Sequence, residues 1–140
     1  MQRKFFLVDL AAGKERELER GETVPQGSYI RSVVKVQHEL KQRMNYLLVQ
    51  NFKPATCEIL PCTDSRFSQQ SCPCALREDK TVGVFYHHEK TPALVTDECI
   101  LLAELAGKYR VPPAKAELMY DTLNRGHSAD FEFTVAPKVD

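Results

Sequence analysis

Apolar and polar residues alternate with a period of two along most of this chain, and no window carries a rival 3.6-residue helical repeat. Between residues 29 and 40, Ile30, Val34, Val36 and Leu40 alternate with Arg31, Lys35, Gln37 and Glu39. Successive side chains of an extended strand point to opposite faces, so this run describes a strand with one dry face and one wet face. Residues 5–8, 81–86 and 98–105 read as further strands, the last placing Cys99, Leu101, Ala103 and Leu105 on one face. Phe131, Phe133 and Val135 alternate with Glu132 and Thr134 and give the last strand. Residues 46–49 are apolar on both parities, as expected of a strand covered on two sides.

The intervening pieces carry turn chemistry. In GETVPQGS (21–28), Pro25 fixes its own φ and Gly27 is free to take a positive one. The charged run 14–20 has some helical propensity but reads better as a solvated hairpin arm or loop. Residues 107–128, GKYRVPPAKAELMYDTLNRGHS, read as a long non-repetitive connector between two strands. About seven short strands without crossover helices imply an all-β chain, either a sandwich or a closed barrel, which alternation alone does not separate. At 140 residues, the chain has the length for one domain with one core, here taken as 1–140.

Two segments carry a family resemblance. In 107–128, Pro112, Pro113, Ala116, Glu117, Met119, Tyr120, Arg125, Gly126 and Ser128 follow the closing segment of bacterial alpha-2-macroglobulin-like proteins. Residues 46–60, YLLVQNFKPATCEIL, resemble the same family's strand and Lys-Pro-Ala-x-Cys-Glu turn. The resemblance implies an immunoglobulin-like, macroglobulin-type antiparallel β-sandwich with a Cys-rich loop insertion at 61–75. It implies the C-terminal fragment of a much longer chain, with an extracytoplasmic setting and an export signal far upstream. It also implies no enzymatic activity, but a terminal domain of an endopeptidase inhibitor that packs against or shields the thioester domain. Its partners would be the thioester and macroglobulin domains of the same parent, and target proteases would be met through that parent. Tyr109, Met119 and Tyr120 are the interface candidates, or else Met119 and Tyr120 pin the connector to this domain's own core.

That family's covalent trapping depends on a Cys-x-x-Gln thioester. No such tetrapeptide occurs here: Cys57 is followed by Glu-Ile-Leu and Cys99 by Ile-Leu-Leu. The other cysteines need a reason, since Cys57, Cys62, Cys72 and Cys74 fall within 18 residues. Disulfides among these four suit an exported loop without its own core. A zinc site from Cys62, Cys72, Cys74 and His87 or His88 ranks lower. One residue between Cys72 and Cys74 makes a poor chelate, and adjacent histidines on a strand point apart. Cys99, on an apolar face, is expected to be a structural thiol.

His87 and His88 with Asp64 or Glu89 could serve acid–base chemistry, but no nucleophile motif accompanies them. No catalytic residue, metal or cofactor is therefore expected. With 19 basic and 19 acidic residues the chain has no field favouring nucleic acid. No apolar run reaches membrane length, so insertion by this segment is not expected. The alternatives to the macroglobulin reading are a stand-alone extracytoplasmic adhesion or ligand-binding sandwich and, below it, a small zinc-binding enzyme.

Overall fold

A computed structural model of the chain describes residues 1–37, 47–55, 57–60, 75–76, 80–85, 94–118 and 121–138. All regular structure in these residues is strand, and there are thirteen segments where about seven were expected. They are β1 (Gln2–Asp9), β2 (Lys14–Glu17), β3 (Thr23–Pro25), β4 (Tyr29–Gln37), β5 (Leu47–Phe52), β6 (Cys57–Ile59) and β7 (Ala75–Leu76), then β8 (Lys80–Phe85), β9 (Leu94–Ala103), β10 (Gly107–Val111), β11 (Lys115–Leu118), β12 (Asp121–His127) and β13 (Phe131–Ala136). The segments that no expected strand covers are β2, β3, β6 and β7, paired pieces of two to four residues too short to display an alternation, and β10, β11 and β12 in 107–128, where a connector was expected.

β4 has the burial its pattern demands: Ile30, Val34 and Val36 are buried, and Arg31, Lys35 and Gln37 face out. It is the spine of a five-stranded sheet ordered β2-β1-β4-β9-β6. The charged run at 14–17 is a hairpin arm, pairing with β1 from Phe6↔Glu17 to Asp9↔Lys14. In β9, Cys99, Leu101 and Ala103 share the buried face as expected, but Leu105 does not. The strand ends at Ala103, and Leu105, on the turn into β10, is 59% exposed.

Opposite this sheet lie a three-stranded sheet, β10-β13-β3, and a second five-stranded sheet, β12-β11-β5-β8-β7. They join into one layer, because β10 runs into β11 through Pro112–Ala114 and β12 runs into β13 through 128–130. β10 pairs with β13 from Gly107↔Val135 to Val111↔Phe131, and β11 pairs with β12 from Lys115↔His127. Prolines lack the N–H a ladder requires, so the pairing breaks at Pro112 and Pro113. β3 lies parallel to β13, the one parallel pair among the described strands. β5 is central in its sheet but buried on one side only, with Leu47, Val49 and Asn51 inward and Leu48, Gln50 and Phe52 half-buried outward.

The interior has two apolar parts. The larger joins Phe5, Ile30, Cys99 and Leu101 of the five-stranded sheet to Val24, Val111, Phe133 and Val135 opposite. Phe5 stacks against Phe131 at 4.7 Å between ring centroids and meets Phe133 at 6.3 Å. The smaller joins Val34 and Val36 to Leu47, Val49, Ala114, Ala116 and Leu118, with Met1 against its margin. Residues 18–28 cross between the layers: Leu18 N–H donates to Phe5 O at 2.8 Å, Gly21 N–H to Glu132 O at 2.7 Å, and Gln26 N–H to Ala136 O at 2.9 Å. Gly27 takes the expected positive φ, 88°, and its N–H reaches Ala103 O at 2.8 Å.

Candidate functional site

The bend shared by the two long strands is the most specialised feature of the surface. Where Pro112 and Pro113 interrupt the ladder, Ser128 repairs it. Its N–H donates to Ala114 O at 3.0 Å, and its Oγ accepts from Ala114 N–H at 2.9 Å and donates to Ala129 O at 3.0 Å. Ser128 is buried, and these bonds satisfy the N–H and C=O of Ala114 and the N–H of Ser128. Beside it, Asp130 receives both Arg110 and Arg20, the latter at 3.1 Å, and Arg20 also holds the Asp130 carbonyl at 2.8 Å. Hydrogen bonds from Arg20 and then Arg110 hold the Asp130 carboxyl below its usual range. Arg110, Pro112, Pro113, His127, Ser128, Ala129 and Asp130 line an open groove of about 440 Å³ at this corner.

Tyr109, an interface candidate, is half-buried on the parity of Phe133, with its hydroxyl donating to Ala106 O at 3.2 Å. Its ring lies over Gly107, where any Cβ would stand 2.7 Å from the ring. Met119 and Tyr120, between β11 and β12, lie outside the described residues, as do Cys62, Cys72, Cys74, His87 and His88. The fourth disulfide candidate, Cys57, is a buried thiol in the larger core, and Cys99 is another, as expected. Burial pushes both thiols up to about 12, which leaves them un-ionised at neutral pH. Among the described residues no three His, Cys, Asp or Glu side chains converge as metal ligands.

Sequence reasoning missed a polar seam between the two apolar parts. Asn51 donates to Ser32 Oγ at 2.9 Å and lies 3.8 Å from Cys99 Sγ, and Arg3 reaches Asn51 Oδ1 and Ala129 O, each at 3.5 Å. The Arg3 guanidinium sits 5.1 Å from the centre of the Phe5 ring, its Nε has no hydrogen-bond partner, and burial lowers its pKa to about 10. Asp97, level with Arg3 across Val34, is 2% exposed, and its Oδ2 has no partner. The available signal was parity: Ser32 and Asp97 are polar residues on the apolar phase of β4 and β9.

Burial raises the Asp97 carboxyl to about 6, with a backbone hydrogen bond from Glu98 pulling the other way. The folded value exceeds the unfolded one, so folding favours the protonated acid. Stability is then greatest below the unfolded value, falls as pH climbs from about 4 to about 6, and is level above. Urea unfolding across that range checks the slope, and Asp97→Asn should remove it.

A scan against protein-family descriptions matches residues 1–122 to the bacterial alpha-2-macroglobulin MG10 domain. A search of curated protein sequences finds no match. Among solved structures, the chain is similar to native Escherichia coli alpha-2-macroglobulin spanning the residues from domain MG7 to the C-terminus, with TM-score 0.68, 19% identity, and coverage of 97% of this chain and 23% of that one. A Salmonella alpha-2-macroglobulin mutant aligns with TM-score 0.65 and 18% identity over 95% of this chain and 9% of that chain. Trypsin-activated Escherichia coli alpha-2-macroglobulin gives TM-score 0.65 and 17% identity over 95% and 10%. The chain therefore spans less than a quarter of the length of each of these structures.

Proposed function

The chain belongs to the bacterial alpha-2-macroglobulin MG10 domain family, and on that membership we propose that it is a non-catalytic domain of an endopeptidase inhibitor that packs against or shields the thioester domain. The observation that carries the reading is the family match over residues 1–122. The lack of a Cys-x-x-Gln tetrapeptide agrees with it, since the trapping chemistry would then reside elsewhere in the parent. Proteases would be met through the parent chain rather than by this domain. The setting would be extracytoplasmic, where two of Cys62, Cys72 and Cys74 would pair, Cys57 being a buried free thiol. Among the described residues no helix is long and apolar enough to cross a membrane. Tyr109, Met119 and Tyr120 remain the residues assigned to the interdomain contact.

The test is direct. The thioester domain encoded by the parent gene is mixed with this chain, and consumption of its thioester by methylamine is followed. The reading expects association and slower consumption. No association, with consumption unchanged, contradicts it.

A further inference from the structure

The outward faces of the two layers differ in how their charges are matched. On the five-stranded sheet, Lys4 meets Glu17 at 3.7 Å, while Arg31 meets Glu15 at 3.1 Å and Glu98 at 3.2 Å. With Lys35 and the exposed Glu58 of β6, that face carries three cations and four carboxylates, most of them joined to one another. The outward face of the β5-β8-β11-β12 region is different. The cross-strand register sets Gln50, Lys115 and His127 in one row and Leu48, Glu117 and Arg125 in the next. Phe52 stands beside Lys80 at the end of the first rows, with the Lys80 Nζ 5.2 Å and the Lys115 Nζ 5.9 Å from its ring centre. Lys80 reaches only the neutral Gln50, at 3.1 Å, and neither Lys115 nor Arg125 has an ion-pair partner among the described residues. Glu117 is the single carboxylate there among them, and a concavity of about 540 Å³ runs between Gln50, Pro113, Lys115, Glu117, Arg125 and His127.

We propose that this cationic sheet face, with Lys115 and Arg125 lining the concavity and Lys80 and Phe52 beside it, is a docking surface for a carboxylate-rich protein surface. Resting on the reading above, the partner is a neighbouring domain of the parent chain. Among the described residues this face sets three cations against one carboxylate, in a chain of zero formal charge, a local surplus that an acidic partner would match. The half-buried Phe52 and the aliphatic stems of its flanking lysines supply the apolar centre that such contacts use.

The probe is hexaglutamate, titrated into the chain at low ionic strength while backbone amide resonances are followed. Shifts should centre on β5, β11 and β12 and weaken with added salt. Lys115→Glu combined with Arg125→Glu should raise the apparent Kd by about tenfold or more, and Lys4→Glu combined with Lys35→Glu should change it by less than about twofold. Shifts centred elsewhere, no shifts, or equal weakening by the two pairs would overturn the assignment, as would tighter binding of polyphosphate than of the peptide. The same variants, mixed with the thioester domain, separate the two ideas. If wild type associates and the Lys115/Arg125 variant associates equally well, the face is wrong and the functional reading stands. If wild type does not associate, that reading fails and the titration alone decides the face.

Discussion

Phe133→Ala is expected to destabilise the domain by about 3–5 kcal/mol, the range for truncating a fully buried aromatic side chain. Phe133 is 1% exposed and lies where the five-stranded sheet meets β13, 6.3 Å from both Phe5 and Phe131 by ring centroid. Val24, Ile30, Val111 and Val135, which share its core, are short or β-branched and already buried, so they fill little of the space. Urea unfolding followed by fluorescence or circular dichroism reads the loss. Phe52→Ala, at a half-buried outward position, should cost less than about half as much. Equal losses at the two positions would mean that β13 does not face the first sheet.

Gly107→Ala should destabilise by about 3 kcal/mol through two separable effects. Gly107 has φ 151°, a conformation L-residues rarely adopt, and this part is of order 1–3 kcal/mol wherever the backbone is held. The added Cβ would also lie 2.7 Å from the Tyr109 ring, and relieving that overlap in a packed setting contributes about 1–3 kcal/mol more. Moving the ring would give up the bond from its hydroxyl to Ala106 O. A double-mutant cycle separates the parts. In a Tyr109→Ala background the overlap disappears and only the backbone strain remains, so Gly107→Ala should be milder there by about 1 kcal/mol or more. Additive losses would show that the ring does not lie over Gly107.

The all-β class was legible because one phenomenon produces it: the alternation in β4, β9 and β13 maps onto burial, apart from Val33 and Ile100, which are buried on the other face. Long strands in the middle of a sheet write their environment into the sequence most clearly. What stayed hidden has physical causes. The stretch 107–128 looked like a connector because Pro112 and Pro113 deny the backbone a ladder, and the Ser128 side chain that restores the bond at Ala114 comes from the other strand. A contact between residues 14 positions apart leaves no local signature. The parallel pairing of β3 with β13 is a still longer-range contact, set by where the chain crosses between layers.

The candidate site was less legible than the fold. Tyr109 was singled out as an interface residue, yet much of its ring is occupied by Gly107 and Ala106 within the domain. The family resemblance directed attention to the right stretch of chain, but not to the Asp130 corner or the cationic face. Both depend on side chains converging from distant strands: Arg20 is 110 residues from Asp130, and Lys80 meets Lys115 only across β5. The polar seam of Arg3, Ser32, Asn51 and Asp97 was detectable in part, as polar residues on apolar phases.

Amide hydrogen exchange at Ala114 and Ser128 is the most direct test of the claim that β10–β11 and β12–β13 are two continuous strands, bent together and joining the two sheets of the second layer. The structure pairs these two N–H groups at 2.9 and 3.0 Å inside the bend, so both should exchange as slowly as the ladder amides of β10 and β13 and be lost with them on unfolding. Exchange at free-peptide rates at both positions, with β4 and β9 still protected, would contradict it and return this stretch to a loop laid over the domain.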